Sequence, residues 1–111
     1  MLFRSAGVAG GRVVALETAD GAARVMAPKV TGAEVLEHVI ARFAPSLVLY
    51  CASLSVELGG AGQAAYTAAN AVLDAIARRP STPGRRTIAI NWDRWRDVGM
   101  AAAVADADAI G

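Results

Sequence analysis

"LVLYCASLSVELGGAGQAAYTAANAVLDAIA", Leu47 to Ala77, joins two kinds of order in a single run. Its opening block, "LVLYCAS", is continuous, apolar and rich in β-formers, the pattern of a strand buried on both faces of a parallel sheet. A loop, "LSVELGGAG", separates that block from Gln63 to about Arg79, where alanine and aliphatic residues predict a helix. Within the helix one phenol, Tyr66, and one amide, Asn70, stand four residues apart, which places them one turn apart on one face. Such a pair is either the polar edge of a buried helix or part of a reaction centre.

The flanking sequence extends the alternation. Downstream, "PSTPGRR" breaks the helix and "TIAINW" (Thr87 to Trp92) forms another short buried strand. Upstream, from Lys29 to about Phe43, the residues Val30, Ala33, Leu36, Val39 or Ile40, and Phe43 recur at helical spacing. Glu34, Glu37, His38 and Arg42 fall largely on the other faces, and Pro45 ends the helix. Thr18 can cap a shorter helix over Ala19 to Ala27, which Gly21 weakens and Pro28 terminates. "MLFRSAG" reads as a first strand closing on Gly7, and "VAGGRVVALETADG" as a loop. "DRWRDVG" is another loop. Residues 1–100 thus read as one unit, and 101–111 as an Ala/Asp-biased tail, helical or disordered.

Strand, helix, strand, helix, strand in that order implies right-handed crossovers and a parallel sheet in an α/β fold. Working groups in such sheets gather at the carboxyl ends of the strands. Ser53 ends the second strand, Asn91 and Trp92 end the third, and Tyr66 starts the helix reached from the Ser53 side. Three separated regions therefore converge on one edge.

Composition narrows the classes. The apolar fraction is 55% and the charged fraction 19%, which suggests surface that something else ought to cover. Eleven basic and ten acidic residues nearly cancel, so no basic field draws the chain to nucleic acid or anionic lipid. A single cysteine, Cys51, excludes an internal disulfide and fits a reducing, cytoplasmic setting as a buried structural thiol. His38 has no ligand partners in the pattern, so no metal site is expected. No apolar run approaches the roughly 18 residues needed to span a bilayer, and "MLFRSAGVAGG" is not a signal peptide.

"APKVTGAEVLEHV", the opening run and "TIAINWDRWRDVGMA" together resemble the second half of the ketoreductase domain of modular polyketide synthases, within the short-chain dehydrogenase/reductase superfamily. The family carries a lysine in "KV-x-G", a serine 24 positions later, a tyrosine 13 beyond, and an asparagine four further on. Lys29, Ser53, Tyr66 and Asn70 stand in that register, with "GQ" before the tyrosine and "AAN-x-x-LDA" around the asparagine. Taken singly, each has a plainer reading: a core-edge tyrosine, a solvated lysine, a strand-end serine. The shared register favours a catalytic set.

The resemblance implies an NADPH-dependent reduction of a β-ketoacyl thioester on an acyl carrier protein to its β-hydroxyacyl form. Elementary chemistry agrees. A ketone needs hydride at carbon and a proton for the developing alkoxide; Tyr66 has the proton but a reference pKa near 10, which a cation such as Lys29 would ease. Ser53 could donate a second hydrogen bond, worth on the order of 3 kcal/mol in a dry site. Asn70, donor and acceptor at once, could orient the lysine or a relay water. The resemblance also points to Ala6, Gly7, Asn91 and Trp92 as residues toward the cofactor, with Trp92 and Trp95 similar to the family's W-G-x-W loop.

The departures matter as much. No G-x-G-x-x-G precedes a helix, so the resemblance implies a partial Rossmann-like parallel sheet, equivalent to strands 4 to 6 with flanking helices, lacking the N-terminal dinucleotide-binding half. The expected partners are that half or the rest of a synthase, and the chain by itself should be marginally stable and bind NADPH poorly. "AGG" at Ala9 to Gly11 and Leu58 replace family markers of alcohol handedness, which leaves configuration open, while Asp93 replaces the loop glycine. Two alternatives stay open here: a non-catalytic remnant that only associates with a partner chain, and a fragment of a fatty-acid-type or free-standing short-chain reductase.

Overall fold

In the computed structural model, which describes residues 1–95 and 98–100, three strands form one parallel sheet in the order β1-β2-β3. They are β1 (Leu2–Arg4), β2 (Leu47–Ser53) and β3 (Arg86–Trp92). Between β1 and β2 run α1 (Ala19–Met26) and α2 (Val30–Phe43); between β2 and β3 run α3 (Ser55–Leu58) and α4 (Ala64–Ala77). The register Ala52↔Asn91 and Ser53↔Trp92 brings the carboxyl ends of β2 and β3 side by side. The parallel α/β expectation holds, with β1 as an edge strand that pairs only with β2 among the described residues. The tail over 101–111 lies outside those residues.

Local chemistry explains the boundaries. Thr18 caps α1 as expected, its hydroxyl accepting the Gly21 N–H at 3.1 Å. Ala44 ends α2 in the left-handed region at φ 42°, its N–H bonded to the Ile40 carbonyl at 2.9 Å, and Pro45 then forbids continuation. Two segments read as loop contain short helices: a 3₁₀ turn over Val14–Leu16, and α3, a single turn inside "LSVELGGAG". A single turn has too few apolar positions to show a period, so spacing alone missed it.

The core lies on one face of the sheet. Val48, Tyr50 and Ala52 alternate toward it from β2 and meet Ala33 and Ile40 of α2 and Leu73 of α4. Full burial of side chains such as Tyr50, Leu73 and Val48 stabilises the fold by roughly 1.5–3 kcal/mol each. The opposite face departs from the expectation of burial on both sides: Leu47, Leu49 and Cys51 are only half-buried, as are Ile88 and Ile90 beside them on β3. Cys51 is therefore not a fully buried thiol. Phe43 also departs from the core, being 70% exposed at the last position of α2. No helix among the described residues is long and apolar enough to cross a membrane.

Candidate active site

At the carboxyl edge of the sheet an open pocket of about 510 Å³ gathers Ser53, Ser55, Leu58, Gln63, Tyr66 and Trp92, with Ala9 and Gly10 from the loop after β1 and Trp95 and Met100 beyond β3. Ser53 reaches it as the last residue of β2, and Tyr66 from the first turn of α4. The turn between α3 and α4 fixes where that first turn begins. Gly62 sits at φ +70°, and a Cβ there would come within 3.1 Å of the Gly11 carbonyl oxygen. Glycine alone fits both the conformation and the close approach.

The two hydroxyls differ in what already holds them. Ser53 Oγ accepts the Ser55 N–H at 3.2 Å, so one lone pair is engaged while its proton stays available to an acceptor in the pocket. Tyr66 is half-buried and lines the pocket. Both residues line the same pocket.

Lys29 and Asn70, the other two members of the expected set, are not among the described residues that line the pocket. Lys29 occupies the position before α2, is 4% exposed, and its Nζ donates to the Cys51 carbonyl at 2.8 Å, two residues before Ser53. A buried ammonium on the backbone of the strand that carries Ser53 is an unusual use of lysine, which is mostly exposed. Asn70 is fully buried one turn below Tyr66. Its Nδ2 donates to the Tyr66 carbonyl at 2.8 Å, while its buried Oδ1 finds no hydrogen-bond partner among the described residues. A buried acceptor left without a donor costs about 1–3 kcal/mol.

The remaining expected residues divide. Trp92 lines the pocket, 41% exposed, with its ring edge-on to Trp95 at 5.6 Å and 61°. Gly7 is half-buried against the Lys29 side chain, a Cβ there lying 3.5 Å from Cε, and Ala6 is exposed beside it. Asn91 points elsewhere: its Nδ2 donates to Asp74 Oδ2 on α4 at 3.0 Å. Asp74, though part of the "AAN-x-x-LDA" match, was given no role in the sequence reading, and Ser55 was not singled out. The signal for Asp74 was present, since it continues the i, i+4 stripe of Tyr66 and Asn70; the role of the Ser55 backbone N–H has no sequence signal. No group of three or more metal-ligating side chains occurs among the described residues.

Comparison with known proteins places the chain in a family. The family model described as "KR domain" matches residues 2–97. The chain is 40% identical over 102 residues to 6-methylsalicylic acid synthase of Aspergillus terreus, covering 92% of this chain and 6% of that protein. It is 35% identical over 110 residues to a pikromycin polyketide synthase component of Streptomyces venezuelae, covering 96% and 3%. Among solved structures, the ketoreductase from the first module of phoslactomycin biosynthesis in Streptomyces sp. HK803 superposes with a TM-score of 0.78 at 37% identity, over 88% of this chain and 23% of that one. The chain thus spans no more than 6% of the length of those two curated synthases and under a quarter of the solved ketoreductase.

Proposed function

The chain belongs to the KR domain family, and from that membership we propose that it is the catalytic-residue portion of a polyketide-synthase ketoreductase. The reaction is reduction of a β-ketoacyl thioester, carried on an acyl carrier protein, to the β-hydroxyacyl thioester. NADPH, the reductant of the family, supplies hydride to the ketone carbon when bound. Tyr66 gives its phenolic proton to the ketone oxygen as the carbonyl becomes an alcohol, and regains a proton from solvent. Ser53 donates a second hydrogen bond to that oxygen, and a placed proton donor of this kind is worth roughly 10²- to 10⁴-fold in rate. Lys29 and Asn70 act from behind, the ammonium through its field and the free Asn70 oxygen by accepting a donor between them.

The observation that carries this reading is the shared pocket of Ser53 and Tyr66, with the Ser53 hydroxyl oriented by the Ser55 N–H. The pocket suits the reacting end of a dinucleotide together with an acyl chain. The rest of a dinucleotide finds less. Among the described residues no glycine-rich turn runs from a strand into a helix N-terminus, where a pyrophosphate would sit. Residues 1–111 alone are accordingly expected to show no saturation with NADPH up to millimolar concentration.

The partner is then the polypeptide that completes the sheet beyond β1 and supplies the phosphate cradle. The test is reconstitution: co-expression with the glycine-rich N-terminal portion of a ketoreductase, followed by NADPH oxidation on a β-ketoacyl thioester. The reading predicts oxidation matched one-to-one by β-hydroxyacyl product. A folded complex that binds NADPH yet forms no alcohol would contradict it.

A further inference from the structure

Asp74 is a carboxylate that the proposed chemistry does not use, yet it is 6% exposed. It lies two turns along α4 from Tyr66, on the stripe that also carries Asn70. Its Oδ2 accepts from Asn91 Nδ2 at 3.0 Å, and the Arg78 guanidinium stands 3.8 Å away and reaches Glu57 of α3 at 4.0 Å. The Arg78 side chain is 75% exposed, so its two ion pairs are screened and contribute little. The amide–carboxylate bond is the strong member of this chain, because hydrogen bonds to a charged, buried acceptor exceed neutral ones.

What that bond fixes is the end of β3. Asn91 pairs in register with Ala52 on the helix-covered side of the sheet, and the next residue, Trp92, pairs with Ser53 and faces the other way. The Trp92 carbonyl also accepts the Leu54 N–H at 2.9 Å. Holding Asn91 to α4 therefore sets the pleat from which Trp92 enters the pocket beside Ser53. Among the described residues the buried Asn91 Oδ1 finds no hydrogen-bond partner, and the bond to Asp74 is the one that orients this amide.

We propose that Asp74 is a positioning residue, which through Asn91 ties α4 to the carboxyl end of β3 and holds Trp92 against Ser53 at the pocket. Its significance rests on the reading of the pocket as a reaction site, but its test does not. The full chain carrying Trp95→Phe, so that Trp92 alone reports, is compared with the same chain bearing Asn91→Asp, Asp74→Asn, or both. Asn91→Asp sets a second carboxylate against the buried one and is expected to lower the folding constant at least about tenfold and red-shift Trp92 emission. Asp74→Asn keeps an acceptor and costs less. The double change exchanges donor and acceptor, and is expected to recover at least about tenfold in folding constant over the product of the single effects and to return the emission to its starting position.

A double variant equal to the product of the singles overturns the proposal. So does Trp92 emission that stays unchanged in every variant. Should Asn91→Asp fail to fold, Asn91→Ala removes the donor without adding charge; the expected result is a red shift with helix and strand content retained, and an unshifted spectrum overturns the claim. None of these readings needs hydride transfer, so a chain without reductase activity still answers the question.

Discussion

The two faces of the sheet were built from nearly the same alphabet and ended in different states. On one face Val48, Tyr50 and Ala52 are buried under α2 and α4; on the other Leu47, Leu49, Cys51, Ile88 and Ile90 stay half-buried. Both rows are apolar, so composition does not separate them. What separates them is the helices, which pack on a single face and leave the second with apolar area that further polypeptide can cover. The pocket residues stand at the edge where the two faces meet: Tyr66 on α4, Ser53 and Trp92 at the strand ends.

That contrast is easiest to break at its strongest point. Leu73 is fully buried against the covered face, and Leu73→Ala should cost about 3 kcal/mol or more, enough to unfold a chain this small. Urea titration followed by circular dichroism reads the loss; a cost under about 1 kcal/mol would mean that the core lies elsewhere. Next in size is Gly62→Ala, expected to cost about 1–2 kcal/mol through its positive φ and the Gly11 carbonyl, and to change Tyr66 fluorescence quenching. Retained stability there would show that the turn before Tyr66 is looser than the covered face. The smallest effect belongs to the open face. Leu49→Thr should change stability by less than about 1 kcal/mol in the same urea titration. A loss as large as that of Leu73→Ala would abolish the distinction between the faces.

Much of this was legible in the sequence, for identifiable reasons. A seven-residue apolar block ending in Ser53 and an alanine-rich rod carrying Tyr66 and Asn70 leave few alternatives to strand and helix, and parallel pairing follows from their alternation. Thr18 announced its cap because a hydroxyl three residues before an N–H is a local device. Non-local facts were hidden. Leu49 and Val48 look alike in the sequence, and only the placement of α2 and α4 decides which is covered. Phe43 fits the helical period yet is exposed at the last position of α2, since period gives direction but not where packing neighbours end. Asn91 read as facing a ligand because strand ends usually do; its bond to Asp74 spans 17 residues and cannot be seen in either neighbourhood.

The functional account depends most on the phenol. In the reconstituted ketoreductase, Tyr66→Phe removes one oxygen from a half-buried ring and leaves the packing of α4 untouched. Turnover of a β-ketoacyl thioester should fall by about 10²-fold or more at saturating NADPH, with circular dichroism and cofactor affinity unchanged. Turnover within about twofold of the parent would contradict the claim that this hydroxyl delivers the proton.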